Sequence, residues 1–197
     1  MIPWTLIDSA QVPGGGGEFR LMRRGAEFSI MVGHHELMNS RLGGSEEALA
    51  AIACERIRTR ERPRILIGGL GMGFTLRAAL AGLGTEARIV VAELVPAVLV
   101  WARTSMVEVF GKSLSDPRVS IREADVGHLI RTGRSPFDAI LLDVDNGPEG
   151  LTRKSNDRLY DPEGLSAARS MLSAGGVLAV WSPGPNLNGC GQKVMFN

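Results

Sequence analysis

Three acidic residues lie where predicted strands of this chain end, and their positions point to ligand chemistry. Glu93 ends the run "RIVVAE", Asp125 follows the next apolar run, and Asp143 ends "FDAILLD". The carboxyl ends of parallel strands share one edge of a sheet, so we expect these acids at a ligand crevice rather than in the core. Glu93 suits the two hydroxyls of a ribose and Asp125 a nucleobase amino group, although Asp125 also precedes a helix and could cap it.

A glycine-rich turn follows the first strand of the same region, in "ILIGGLGMGF". Gly68, Gly69, Gly71 and Gly73 let the backbone turn tightly and approach a ligand, although some could serve only helix packing. The G-x-G-x-x-G pattern of dinucleotide sites fails here, and a P-loop lysine is absent. The G-x-G-x-G that remains is typical of sites for S-adenosyl thioether cofactors, so all four glycines are candidate cofactor contacts.

The elements that position these residues alternate between strand and helix. The apolar runs lack strict alternation, as expected of strands buried on both faces, so we predict an α/β fold with a doubly wound, mostly parallel sheet. Strands are predicted at Ile65–Ile67, Arg88–Glu93, Val119–Glu123, Phe137–Asp143 and Val177–Trp181. Helices are predicted at Gly73–Ala81, Pro96–Phe110, Val126–Ile130 and Pro162–Leu172, with Trp101 and Met106 in the core.

Residues 1–62 read as a small N-terminal extension to a domain at 63–197. Residues 1–17 end in "PGGGG" and are predicted to be a mobile lead-in. A β-hairpin is predicted around Gly25, followed by a helix that Ser45 caps. The adjacent His34 and His35 are predicted to lie in an exposed turn, because no other metal ligands have suitable spacing.

Bulk composition narrows the function classes. The 22 basic and 21 acidic residues are mixed along the chain, without a basic stripe for nucleic acid. The two cysteines lack metal-like spacing, and the longest apolar run, "LVPAVLVWA", is too short to cross a bilayer. We expect a cytoplasmic protein with a small-molecule acceptor, no metal, and no nucleic-acid or membrane partner.

Four motifs together resemble the spermidine synthase family of polyamine aminopropyltransferases, within the class I S-adenosylmethionine-dependent methyltransferase superfamily. They are "IGGLGMG", "VAEL", "DPRVSIREAD" and "DVDNGPEG". The resemblance implies that Glu93 binds the cofactor ribose and Asp125 its adenine. It also implies that Asp143 is the catalytic acid that orients and helps to deprotonate an attacking amine. Asp145 and Tyr160 are then candidate substrate contacts.

The chain also departs from that family. Gly71 stands where an aspartate usually holds the amine of the cofactor, and Asp145 lies one position early. Residues 184–197 are too few for the helix and two strands that usually end this fold, so the domain reads as minimal or C-terminally incomplete. These departures favour an acceptor other than a standard polyamine.

The transferred group therefore stays open. We expect methyl transfer from S-adenosylmethionine or aminopropyl transfer from decarboxylated S-adenosylmethionine, by an enzyme that forms a homodimer. A nonenzymatic cofactor-binding homologue and a nicotinamide dehydrogenase are the alternatives, and the failed dinucleotide motif counts against the latter.

Overall fold

The computed structural model describes residues 2–15, 17–144, 157–182 and 191–196. The strands are β1 (Thr5–Gln11), β2 (Glu18–Arg24), β3 (Glu27–Val32), β4 (His35–Asn39), β5 (Arg64–Gly68), β6 (Arg88–Glu93), β7 (Val119–Glu123), β8 (Phe137–Leu142), β9 (Leu172–Ser182) and β10 (Gly191–Phe196). The helices are α1 (Gly44–Ile57), α2 (Phe74–Gly82), α3 (Pro96–Arg103), α4 (Val107–Phe110), α5 (Val126–Thr132), α6 (Asp157–Tyr160) and α7 (Pro162–Ser170).

A six-stranded sheet in the order β10-β9-β8-β5-β6-β7 forms the centre of the α/β region. All neighbouring strands in it are parallel except β10, which pairs antiparallel with β9. Ile65, Leu66 and Ile67 of β5 are fully buried, because helices cover both faces. This confirms the predicted doubly wound, mostly parallel sheet. The chain leaves β5 toward β6 on one side and returns beside β5 as β8, which creates a topological switch point there.

Several predicted element bounds need correction. Strand β8 ends at Leu142 rather than Asp143, and the helix predicted up to Leu172 ends at Ser170. The helix predicted from Pro96 to Phe110 is broken, because Met106 turns inward to the core and its N–H bonds to the carbonyl oxygen of Trp101 at 2.8 Å. Trp101 and Met106 are 1% and 0% exposed, so their predicted place in the core is confirmed.

The N-terminal region is a four-stranded antiparallel sheet in the order β1-β2-β3-β4. The predicted hairpin around Gly25 is confirmed as the β2–β3 connection. The mobile lead-in predicted for residues 1–17 is wrong, because Thr5–Gln11 pair with β2 as a regular strand. The predicted cap is also wrong, since Gly43 is the N-cap of α1 and Ser45 lies inside that helix.

Two apolar clusters lie on opposite faces of the large sheet. One joins inward residues of the N-terminal sheet, such as Leu21 and Ile30, to helices α1–α3 and to Ile65 of β5. The other packs helices α5–α7 on the opposite face, around Leu66 and Ile140. The indole N–H of Trp101 donates a 2.7 Å hydrogen bond to Asp8 of β1, which ties the small sheet to α3. Among the described helices, none is long and apolar enough to cross a membrane.

Candidate functional site

A cavity of about 250 Å³ lies at the carboxyl ends of β5, β6, β7 and β8. Backbone hydrogen bonds hold these strand ends together, from Gly69 N to Ala92 O at 2.8 Å and from Asp143 N to Gly68 O at 2.9 Å. The cavity lining is Val12, Phe19, Met38, Gly69, Gly71, Ala92, Glu93, Leu94, Val95, Val98, Ala124, Asp125, Val126, Gly127, Arg131, Asp143, Val144, Arg158 and Leu159. The three predicted acids therefore meet in one cavity at the switch point.

Glu93 lies in this cavity, and its carboxylate accepts hydrogen bonds from the glycine turn and from the segment before α3. One oxygen accepts a hydrogen bond from the backbone N–H of Leu70 at 2.9 Å, and the other accepts from Val95 at 2.8 Å. The residue is only 7% exposed, so it is buried while it lines the cavity. A carboxylate offers about four lone-pair positions, so each oxygen retains capacity for a ligand hydroxyl.

Burial has the largest effect on the charge of Glu93. Desolvation raises the pKa of this carboxyl above its usual range, and the backbone N–H groups of Val95, Leu70, Leu94 and Gly71 oppose the rise by stabilising the anion. Glu93 therefore links the glycine turn to the start of α3 while facing the cavity.

Asp125 caps a helix and also lines the cavity. It is the N-cap of α5, and its Oδ1 accepts from His128 N at 3.0 Å, while the residue also lines the cavity. Gly127 beside it is a lining residue that the sequence reasoning missed. A Cβ on Gly127 would lie 2.9 Å from Leu159 Cδ2 and 3.0 Å from both Arg131 Nη1 and Asp125 Oδ1. The side chains of Leu159, Arg131 and Asp125 thus pack closely around Gly127, and a larger residue there would displace them.

The four predicted glycines separate into two pairs. Gly69 and Gly71 line the main cavity, and a Cβ on Gly69, whose φ is +90°, would lie 2.2 Å from the carbonyl oxygen of Asp143. The glycine at position 69 is therefore required by the adjoining β8 end. Gly68 and Gly73 instead face the side chains of Val126 and Phe110, at 3.0 Å and 2.5 Å from where their Cβ atoms would be. Close packing accounts for Gly68, whereas Gly73 also has a φ of +75° as the N-cap of α2 and lines a smaller, adjoining cavity.

Asp143 follows β8 directly and is half-buried at the floor of the cavity. Its Oδ2 accepts a hydrogen bond from the hydroxyl of Thr75 in the first turn of α2. Desolvation raises the pKa of Asp143 to about 7, the hydrogen bond from Thr75 lowers it, and the negative charge of Glu46 raises it. A carboxyl that titrates near neutrality can exchange a proton with an amine under ordinary conditions.

A second, smaller cavity of about 60 Å³ adjoins the first and shares Asp143, Gly71 and Met38 with it. Its lining also includes Leu37, Asn39, Glu46, Met72, Gly73, Phe74 and Trp181. Glu46, in the first turn of α1, lies here. The described lining combines two carboxyl groups with two aromatic rings and has no basic side chain, so it favours a cationic group.

Other sequence candidates lie elsewhere. Tyr160 packs against the second apolar cluster rather than lining either cavity, while its neighbours Arg158 and Leu159 line the main one. Asp145 lies outside the described residues. His35 is exposed at the start of β4, and no group of three or more possible metal ligands occurs among the described residues.

Val12, Phe19 and Met38 of the N-terminal region are lining residues that the sequence analysis did not identify. Their apolar side chains resemble ordinary core positions, and no spacing rule links the small sheet to the strand ends. The sequence shows only that the hairpin region precedes the predicted domain, and this does not identify which of its residues line the cavity.

Sequence comparison finds similarity to polyamine aminopropyltransferases, while no protein-family model matches the chain. The polyamine aminopropyltransferase of Mycobacterium tuberculosis is 33% identical over 124 residues, covering 61% of this chain and 23% of that protein. The protein of the same name from Korarchaeum cryptofilum is 30% identical over 125 residues, covering 64% of this chain and 37% of that protein. The match thus spans well under half of the length of these relatives.

The solved structures with a similar fold include spermidine synthases, in agreement with the relatives found by sequence comparison. A spermidine synthase in complex with the transition-state analogue AdoDATO superposes with a TM-score of 0.72 at 19% identity, over 93% of this chain and 60% of that one. The O-methyltransferase TomG from Streptomyces achromogenes, in complex with SAM, gives 0.50 at 18% identity, over 71% and 56%. The chain therefore has the Rossmann-like fold of spermidine synthases and class I methyltransferases, and in sequence it is similar to polyamine aminopropyltransferases.

Proposed function

We propose that this chain binds an S-adenosyl thioether in the main cavity and transfers an alkyl group from its sulfonium to an amine in the adjoining cavity. The observation that carries the proposal is the meeting of Glu93, Asp125 and Asp143 with the Gly69–Gly71 turn in one cavity at the switch point. The spermidine synthase bound to AdoDATO and the methyltransferase bound to SAM share this fold, which supports the ligand class.

The residues present fit an adenosyl group. Glu93 keeps lone pairs for two ribose hydroxyls, and Asp125 offers an acceptor to an exocyclic amino group. Gly127, Arg131 and Leu159 line the cavity beside Asp125, and we place the purine against them. Gly69 and Gly71 present backbone atoms to the part of the S-adenosyl thioether beyond its adenosine. We propose that Gly68 and Gly73 hold this turn in place by close packing. A bound sulfonium would supply the electrophilic carbon and leave as a neutral thioether.

Asp143 is the proposed catalytic residue. It borders both cavities, so its carboxyl can hold a protonated amine and take up the proton that must leave before nitrogen attacks. Glu46 and the ring of Trp181 line the same small cavity and stabilise the cationic form of the acceptor, while the ring of Phe74 already contacts the guanidinium of Arg77, whose Cζ lies 4.7 Å from the ring centroid. We propose Asp145 as a secondary acceptor contact, whereas the packing of Tyr160 against the second apolar cluster does not support the same role for Tyr160.

Charge favours one donor over the other. The small cavity beside the donor site is lined by the carboxyl groups of Asp143 and Glu46 and, among the described residues, by no basic side chain. A donor tail that reaches this cavity with an amine and no carboxylate therefore meets less repulsion. This favours decarboxylated S-adenosylmethionine and aminopropyl transfer. Methyl transfer from S-adenosylmethionine is the second candidate. Gly71 favours it, because the aspartate that would hold an amine-only tail is missing.

Turnover with each donor tests the proposal. Purified protein is incubated with either donor and a panel of amines, and alkylated products are detected by mass spectrometry. With an acceptor found, Asp143→Asn should keep donor affinity and lower turnover by about 10²–10⁴-fold. Asp116→Asn, remote from both cavities, is the matched control. Turnover of Asp143→Asn within a few fold of the wild type would remove this residue from the mechanism.

A further inference from the structure

Thr75 holds the proposed catalytic carboxyl from a different element. Its side chain is buried, with 2% of the residue exposed, in the first turn of α2. Its Oγ1 donates to Asp143 Oδ2, and Asp143 N donates to Gly68 O at 2.9 Å. The other carboxyl oxygen, Oδ1, accepts no hydrogen bond from any residue within the described ranges. One oxygen is therefore fixed while the other remains for a ligand.

This contact differs from what helical threonines of the chain otherwise do. Thr132 donates to the carbonyl oxygen of His128, and Thr104 donates to that of Val100, both at 2.8 Å and both within local helical turns. Such back-bonding is the usual arrangement for a helical hydroxyl. Thr75 instead donates to a residue 68 positions away on another strand end. The hydroxyl thus serves the site rather than its own helix.

Several charged groups share the surroundings of Asp143. Glu46 of α1 faces it across the small cavity, and its negative charge raises the pKa of Asp143. Glu93, Asp125, Arg131 and Arg158 line the main cavity from the other sides. The hydrogen bond from Thr75 favours the anion, so Thr75 and Glu46 act in opposite directions on one carboxyl.

We propose that Thr75 is a positioning residue, whose hydroxyl occupies Asp143 Oδ2 so that Oδ1 receives the proton of the acceptor. The use of that proton in alkyl transfer rests on the proposed function, whereas the pairing of Thr75 with Asp143 belongs to the ligand-free protein. Removing the hydroxyl frees the carboxyl to rotate and withdraws a donor that stabilises its charge. Thr75→Ser keeps the donor and should preserve both effects.

Carbon-13 NMR of the aspartate carboxyl groups tests the pairing without any activity. Asp143→Asn assigns the resonance, and wild-type Asp143 should titrate near pH 7. Thr75→Val should raise that midpoint by about one to two pH units, the scale for losing a hydrogen bond to a charged group. Thr75→Ser should restore it, Glu46→Gln should lower it, and Thr132→Val should leave it unchanged. An unchanged midpoint in Thr75→Val, with folding verified by circular dichroism, overturns the proposal.

Thr75→Ala replaces Thr75→Val if the valine variant does not fold, with the same expectation. Where turnover is found, the acidic limb of kcat/KM against pH should move upward in the hydroxyl-free variant, with about a fivefold loss at pH 7 for a one-unit rise and recovery at higher pH. A loss that is equal at every pH contradicts a positioning role. If turnover is absent but the midpoints move as expected, the pairing stands and the proposed function fails.

Discussion

At the scale of single residues, Glu93 serves two purposes that one variant can separate. Its carboxylate accepts two backbone hydrogen bonds in a buried position, so Glu93→Ala leaves two N–H groups without their partner. We expect this variant to lose about 2–3 kcal/mol of unfolding free energy and to bind methylthioadenosine about 10–100-fold more weakly. Urea unfolding and calorimetry, at a temperature where both proteins are folded, measure the two losses.

Glu123→Ala is the matched control, because Glu123 pairs with Glu93 across β6 and β7 but is exposed and outside the cavity lining. It should leave affinity unchanged. If Glu93→Ala is destabilised but keeps wild-type affinity, Glu93 is a structural residue only and the ribose assignment is wrong.

The raised pKa of Asp143 makes the free energy of unfolding depend on pH. Its pKa is raised to about 7 by burial, so the folded protein retains a proton that the unfolded chain has released between about pH 4 and pH 7. The wild type therefore loses stability as pH rises through this window. Asp143→Asn, neutral throughout, should become more stable than the wild type by on the order of 2 kcal/mol above pH 7, allowing for partial exposure.

Urea unfolding at about pH 4.5 and about pH 8 measures the difference, which should appear only at the higher pH. Asp116→Asn is the control, since Arg118 lowers the pKa of Asp116 to about 2 and this group stays charged across the window. A difference between Asp143→Asn and the wild type that does not change with pH would show that Asp143 is not protonated in the folded state.

At the scale of elements, the "DPRV" motif joins the end of α2 to the start of β7. Arg118 pairs with Asp116 at 2.9 Å and donates to the carbonyl oxygens of Leu80 and Leu83 at 3.1 and 2.8 Å. We expect Arg118→Met to lose about 2 kcal/mol of unfolding free energy, measured in urea, because part-buried helix-end carbonyls lose a charged donor. Arg103→Met, at an exposed helical position, should change stability by less than about 0.5 kcal/mol. Equal losses of unfolding free energy in the two variants would mean that the contacts of Arg118 do not stabilise the protein and that the motif only forms a turn.

The sequence predicted correctly those elements whose pattern of apolar residues matches the pattern of buried side chains. Apolar runs such as Ile65–Ile67 and Val177–Trp181 lie in strands covered on both faces, so their patterns were sufficient. Strand β1 was missed because nearly all its side chains are exposed, which removes the alternation. The break after Arg103 was missed because packing of Met106 determines it, and helical periodicity continues through that position.

The site follows the same division. Glu93, Asp125 and Asp143 could be brought together from sequence because parallel strands present their carboxyl ends at one edge. The pairing of Thr75 with Asp143 needed three-dimensional distances, since 68 residues separate them. Phe19 and Met38 come from another sheet, and only tertiary packing places them at the cavity.

At the scale of the whole molecule, the N-terminal sheet shares an apolar core with the α/β region and contributes Phe19 and Met38 to the wall of the main cavity. Asp8 accepts from the buried indole N–H of Trp101, so Asp8→Ala leaves that donor without a partner. We expect a loss of about 1–3 kcal/mol, seen in urea, together with faster hydrogen exchange in β1. Glu18→Ala, exposed on β2, should leave both unchanged. Unchanged exchange in Asp8→Ala would show that this bond does not hold the sheet.

Binding of an adenosyl thioether in the main cavity can be measured by calorimetry with methylthioadenosine. This ligand keeps the ribose, the adenine and the sulfur that Glu93, Asp125 and the glycine turn would contact. We predict saturable binding of methylthioadenosine to the folded protein, a rise in its melting temperature, and no binding of NAD. Absence of both heat and thermal shift at millimolar methylthioadenosine, with the protein folded, would contradict the account.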